Sequence, residues 1–259
     1  MSELNAQGLR ATLDHLGENV STEEEAMAAR DVCLEMLDRI RESALDSNIS
    51  VKLSQLGLDL SVDLCRRNLA ALLDRAARYG SLVRVDMEGS PYTQRTVDLI
   101  PEMHCRFDNV GAVVQSYLRR TEQDVERLLA EKIRIRLCKG AYQEPAEVAF
   151  QHKTEVDQNY FKLAKRLMES GVFHGIATHD EQIIVALEQH ARQRGIPPSA
   201  FEFQMLYGIR RDLQKRLRGE GWGMRVYIPF GSHWFPYLTR RLAERPANLF
   251  FIARNLFRG

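Results

Sequence analysis

With 259 residues, 44% of them hydrophobic, the chain is long enough to bury one substantial core. Its 36 basic and 35 acidic residues leave a formal net charge of +1, so no global field favours nucleic acid or an anionic membrane. The cysteines Cys33, Cys65, Cys105 and Cys138 lack CxxC spacing, and neither a signal peptide nor an apolar run near about 18 residues is present, which predicts a soluble intracellular protein with reduced thiols and no structural zinc.

Along the chain a short apolar run, a polar cluster and a longer stretch of helical periodicity recur. Strands are predicted at 9–14, 49–53, 82–86, 111–115, 133–138, 173–177, 201–205 and 224–228. Helices are predicted between them at 22–44, 62–79, 92–105, 122–130, 156–170, 180–193 and 210–219. Ser21-Thr22-Glu23-Glu24 opens the first with acids in its first turn, and Thr178-His179-Asp180 precedes 180–193. Gly80, Gly171 and Gly195 close helices where left-handed backbone is expected. These βα units, with strands too apolar to be half-exposed, predict a closed parallel barrel with its helices outside. An open doubly wound sheet is the alternative, and the lack of GxGxxG after the first strand counts against it. No linker divides the chain, so 1–259 reads as one domain, and a last apolar stretch, 248–257, is expected to pack on the barrel wall.

In such a barrel the chemistry sits at the C-terminal ends of the strands. Polar residues gather there: His15 and Glu18; Lys52 and Gln55; Asp86 and Glu88; Gln115 and Tyr117; Arg136, Lys139 and Tyr142; Thr178, His179 and Asp180; Gln204 and Tyr207; Tyr227 and His233. Any one of them is explained as a solvated loop residue, but the whole set is harder to dismiss. Lys52 and Asp86 lie in otherwise apolar runs, and an unpaired buried charge costs several kcal/mol, so a Lys52–Asp86 salt bridge at the top of the barrel is expected, with or without a substrate before it. Period-two alternation sets Arg134, Arg136 and Cys138 opposite Ile133, Ile135 and Leu137, which predicts an inward arginine. Gly140-Ala141 then lets backbone approach a flat or phosphorylated ligand.

Further on, Arg240, Arg241 and Glu244 fall within one helical turn. Two guanidiniums beside a carboxylate suit a small carboxylate ligand, although a solvated helix face would read the same. A metal-dependent barrel hydrolase would draw on His15, Glu18, Asp86 and His179, yet no HxH or HExxH is present. GxSxG is also lacking, which argues against a serine hydrolase. A cofactor-free barrel that binds an amino acid is the third reading.

The motifs LDHLGEN (13–19), SVKLSQLGLD (50–59), VRVDMEGS (83–90), VVQSYLRRT (113–121), RLCKGAYQEP (136–145), ATHD (177–180), FEFQMLYG (201–208) and RVYIPFGSHWFPYLTRRLAERPAN (225–248) cover most of the chain. In this order they resemble the proline dehydrogenase family, both its bacterial monofunctional members and the corresponding domain of proline utilization A. The resemblance implies an α/β fold, a distorted (βα)8 TIM-type barrel whose last helix lies over the barrel mouth. It also implies noncovalent FAD, oxidation of L-proline to Δ1-pyrroline-5-carboxylate by hydride transfer to flavin N5, and a quinone as electron acceptor. The setting implied is the bacterial cytoplasm, with transient docking at the inner membrane.

Residue by residue, the resemblance implies that Arg240 and Arg241 clamp the proline carboxylate with Lys52, and that Tyr142, Leu206 and Tyr227 wall the ring. Arg136 would sit at flavin N5 and stabilise the reduced flavin. Met87, Gln115, Lys139, Gly140, Ala141, Thr178 and His179 would contact the cofactor. Asp86 falls at an active-site position as organiser or base, and pairing with Lys52 would favour its ionised form. Glu18 would close a gate with Arg240, and Glu244 would brace the arginines. Two departures stand out. Members of the family usually begin with several N-terminal helices that this chain would lack, which predicts exposed apolar barrel surface. Cys138 stands where an aliphatic residue is common, and a conservative packing change is expected there.

Overall fold

A computed structural model describes residues 1–231. Eight parallel strands, β1 (Arg10–His15), β2 (Ser47–Val51), β3 (Val83–Val85), β4 (Val110–Gln115), β5 (Arg134–Cys138), β6 (His174–Ala177), β7 (Phe201–Leu206) and β8 (Gly223–Phe230), follow one another around a closed barrel. The ring is completed by β1 against β8, where Arg10 faces Arg225 and Thr12 faces Tyr227. Helices α2 (Glu23–Glu42), α3 (Val62–Arg78), α4 (Ser90–His104), α5 (Thr121–Ala130), α6 (Lys153–Met168), α7 (Glu181–Arg194) and α8 (Arg211–Gly219) connect the strands, and a short α1 (Ser2–Ala6) precedes β1. The predicted 248–257 helix and the helix expected over the mouth fall outside the described residues.

The local signals act as their chemistry requires. Thr22 accepts from the Glu25 amide while Glu25 reaches back to the Thr22 amide, a capping box that satisfies otherwise orphaned donors at the start of α2. Gly195 ends α7 in the left-handed region at φ 65°, where a side chain would be strained. Two helices start two or more residues earlier than predicted. Ser90-Pro91 opens α4 because proline is tolerated where the amide has no helical partner. The first turn of α6, from Lys153, is polar and so carries no apolar periodicity to read. The short α1 and a 3-10 turn at Pro198–Ala200 were not predicted, since neither is long enough to show a period.

Strand parity divides the molecule into an apolar shell and a polar centre. Ile49, Val51, Val83, Val85, Val110, Ala112, Val114, Ile133, Ile135, Leu137, Phe203, Met205 and Val226 join the helices' Leu37, Leu69, Leu72, Leu128, Leu163 and Leu187 in one continuous core around the barrel. Residues of opposite parity make hydrogen bonds across the interior. Thr12 pairs with Asn48, Arg225 with Glu202, and Arg136 with Ser50, Asp86 and Gln204. Barrels of this kind usually fill their centre with branched apolar side chains, whereas here hydrophobic burial between sheet and helices must stabilise the fold around a charged interior.

Glu202, 1% exposed, accepts from Arg225 Nε at 2.5 Å, from Gln204 Nε2 at 2.8 Å and from Arg10 Nη1 at 3.3 Å. Burial alone would raise its pKa, but Arg225 and Arg10 outweigh burial and hold the carboxyl below its usual 4.5. A carboxyl depressed on folding adds stability above its unfolded pKa and loses it as pH falls through the folded value. Glu202→Gln is therefore expected to lower Tm at pH 7, with the deficit narrowing below pH 4.5. A deficit independent of pH would show that charge at this site does not stabilise the barrel.

Candidate active site

Arg136, 3% exposed, points inward from β5 and occupies the centre of the barrel. Its Nε donates to Gln204 Oε1 at 2.6 Å, and its Nη1 donates to Asp86 Oδ1 at 2.7 Å and Ser50 Oγ at 3.1 Å. The guanidinium carbon lies 5.0 Å from the centre of the Tyr227 ring. Asp86 accepts from the Tyr227 hydroxyl with its other oxygen, at 2.7 Å, so both carboxylate oxygens are engaged. Four strands or strand ends besides β5 thus hold one cation. Arg136 Nη2 is buried without a hydrogen bond to the described residues.

The expected Lys52–Asp86 bridge is not made. Lys52 Nζ lies 3.1 Å from both oxygens of Asp14 and 3.8 Å from Glu18 Oε1, while Asp86 is taken by Arg136 and Tyr227. The reason is geometric. Asp14 on β1 and Asp86 after β3 both flank β2, and Arg136 takes Asp86 from the ammonium by directed hydrogen bonds, which leaves Asp14 to Lys52. Burial by itself would pull the Lys52 ammonium down, but Asp14, Asp86 and Glu18 together raise its pKa above the ordinary lysine value, so it is charged. Tyr227 is pushed well above its ordinary value by burial, then by Asp14 and Asp86, and is therefore protonated.

The loops after β1, β2 and β3 are tied together behind Lys52. Glu88 accepts from the Ser54 amide at 3.1 Å and from the Ser54 hydroxyl, and Ser54 Oγ accepts from the Asn19 amide at 3.3 Å. Asn19 sits at φ 60°, a turn conformation that asparagine tolerates better than most residues, and it fixes the segment carrying Glu18.

At the adjoining ends of β3 and β4, Gln115 donates to Met87 O at 3.2 Å, and its Oε1 is buried without a hydrogen bond to the described residues. Met87 packs with Val97, Val113 and Cys138, so the cysteine fills an apolar contact as expected. Gly140 adopts φ 130°, and a Cβ there would stand 2.3 Å from the Tyr117 ring, so glycine is required for the loop to lie against that ring. Lys139 is held by Asp157 at 2.5 Å and Asp180 at 3.0 Å. Thr178 Oγ1 accepts from the Asp180 amide, and His179 Nε2 accepts from the Leu206 amide at 2.9 Å, joining the β6 and β7 ends. Ala141 and Tyr142 are half-buried in the loop after β5. Arg240, Arg241 and Glu244 lie outside the described residues.

Asp14, Ser50 and the Glu202–Arg225 pair were not singled out from sequence, and Gln204 was noted only as a strand-end residue. Parity held the signal: Ser50 shares a face with Lys52, Arg84 with Asp86, Glu202 with Gln204, and Arg225 with Tyr227. Removing one partner of a buried pair leaves the other charge uncompensated, so Lys52→Met is expected to cost on the order of 3–5 kcal/mol. Adding Asp14→Asn should recover part of that loss in urea denaturation. Purely additive losses would show that the two do not act as a pair.

A sequence model of the proline dehydrogenase family matches residues 1–254. Proline dehydrogenase 2 of Bacillus subtilis is 41% identical over 254 residues, covering 98% of this chain and 84% of that protein. Proline dehydrogenase of Deinococcus radiodurans is 37% identical over 261 residues, covering 99% and 84%. The crystal structure of proline utilization A from Bdellovibrio bacteriovorus, inactivated by N-propargylglycine, superposes with a TM-score of 0.87 at 26% identity, covering 93% of this chain and 30% of that longer one. With a closed eight-stranded barrel and these matches over nearly its whole length, the chain belongs to the proline dehydrogenase family of oxidoreductases.

Proposed function

We propose that the barrel mouth oxidises L-proline to Δ1-pyrroline-5-carboxylate with FAD as the bound cofactor, and that the electrons pass to a quinone. The observation that carries this reading is the convergence of two buried cations, Lys52 and Arg136, with the protonated Tyr227 between the carboxylates that hold them. The site residues fit a flavin. Arg136 Nη2 and Gln115 Oε1 supply an unused buried donor and acceptor. Lys139, Ala141, Thr178, His179 and Met87 would complete the hold on the cofactor. When bound, FAD would supply the two-electron acceptor for the hydride that proline loses.

The chain's own residues divide the remaining work. Lys52 carries a permanent charge for the substrate carboxylate, joined by Arg240 and Arg241, which form the second half of the clamp. Tyr142, Leu206 and Tyr227 enclose the pyrrolidine ring. With both oxygens engaged, Asp86 acts as an organiser that aims Arg136 and Tyr227. Glu18 and Glu244 orient the arginine pair. Among the described residues no group of three or more His, Cys, Asp or Glu side chains is arranged to hold an ion. Among those residues no helix is long and apolar enough to cross a membrane, and we assign the enzyme to the cytoplasm with transient docking to reach its quinone.

The purified protein is expected to be yellow and to be bleached anaerobically by L-proline. A yellow protein that proline leaves unchanged would refute the substrate while retaining the flavin. Arg136→Ala should slow flavin reduction by about tenfold or more, the worth of a charged hydrogen bond, with a smaller effect on proline binding. Equal effects on both would remove Arg136 from the flavin. Arg240→Met should raise KM for proline by a similar factor. An unchanged KM would exclude Arg240 from the carboxylate clamp.

A further inference from the structure

Gly175 on β6 lies between Arg136 on β5 and Glu202 on β7 in the strand register. Glycine leaves a gap in the barrel wall at that point, and the Gln204 side chain fills it: a Cβ on Gly175 would stand 2.3 Å from Gln204 Nε2. Across this gap Gln204 Oε1 accepts from Arg136 at 2.6 Å, and its Nε2 donates to Glu202 at 2.8 Å. The amide has only one workable orientation. Arginine can only donate and an ionised carboxylate can only accept, so each end of the amide is fixed by a partner of opposite kind. Glu202 is fixed in turn by Arg225, whose Nη1 donates to Ala11 O at 2.6 Å.

We propose that Gln204 is a positioning residue for the oxidation, acting through Arg136 and made feasible by the missing side chain at Gly175. Asp86 and Ser50 hold Arg136 by Nη1 alone, which leaves the guanidinium plane free to tilt. The bond from Nε to Gln204 supplies the second fixed point, and together they set the guanidinium plane and with it the direction of the unused Nη2. A neutral amide does this without adding a negative charge beside the cation. The inference rests on the reading that Arg136 faces the flavin.

Gln204→Leu removes both bonds at similar volume, and Gly175→Ala displaces the amide while leaving its chemistry intact. Each is compared with Arg136→Ala in Tm of the FAD-free protein, flavin midpoint potential, rate of flavin reduction by L-proline, and KM for proline. Gln204→Leu is expected to lower Tm without FAD and to slow reduction by about tenfold, with KM nearly unchanged. Its potential should move negative by about 30 mV, the two-electron equivalent of tenfold. Gly175→Ala should shift potential and rate in the same direction by less. If Arg136→Ala changes rate and potential while the Gln204 and Gly175 variants change neither, the positioning role is wrong and the placement of Arg136 stands. If Arg136→Ala itself leaves both unchanged, the reading of the site fails first. Should Gln204→Leu not fold, Gly175→Ala decides: unaltered rate and potential overturn the proposal.

Discussion

The Arg136 guanidinium is the constraint on which the rest of this barrel depends. Burying an arginine is costly unless most of its donors are matched, and here the groups that hold Nε and Nη1 come from around the ring: Ser50 on β2, Asp86 after β3 and Gln204 on β7, with the Tyr227 ring of β8 beside the guanidinium. Closing eight parallel strands brings these distant positions within hydrogen-bond distance. An open sheet would leave β2 and β7 far apart, so the closed architecture and the central cation require each other.

The interior is consequently an electrostatic structure surrounded by a hydrophobic one. Lys52 rests on Asp14, Arg225 on Glu202, and Arg136 on Asp86, each cation facing a carboxylate from another strand or strand end. Arg84 is the exception. Among the described residues it donates only to the carbonyls of Ala112 and Arg134, and burial followed by the nearby Arg136 pushes its pKa down to about 9. The buried cations Lys52, Arg84, Arg136 and Arg225 are matched in number by the buried carboxylates Asp14, Asp86, Glu88 and Glu202, so the interior is densely charged without a large net excess. Rigidity accompanies this charge arrangement. Several charged groups are 8% exposed or less, and preorganised charges need no rearrangement during the reaction.

Much of this was legible in the sequence because period-two and period-3.6 patterns report burial directly. The eight strands followed from short apolar runs between helical stretches, the polar strand ends from the barrel those units imply, and the inward Arg136 from period-two alternation. Which charge meets which was not legible. Lys52 and Asp86 both read as buried ions in need of partners, yet their partners depend on which strands are neighbours and on how an arginine fork competes with an ammonium. Asp14 closed the predicted first strand within LDHLGEN, and nothing in that run told that it meets Lys52. The role of Gly175 was invisible for a related reason: a glycine within a strand reports nothing until the side chain filling its space is known.

The central claim is that the mouth of this barrel is a proline-oxidising site organised by the geometry of Arg136 as well as by its charge. The most direct test is anaerobic rapid mixing of FAD-loaded wild type and Arg136→Lys with L-proline, following the flavin absorption band. Lysine keeps the charge but cannot engage Asp86, Ser50 and Gln204 as a planar fork, so single-turnover reduction should fall by about tenfold or more with FAD still bound. Equal rates in the two proteins would contradict the account, because charge alone would then suffice.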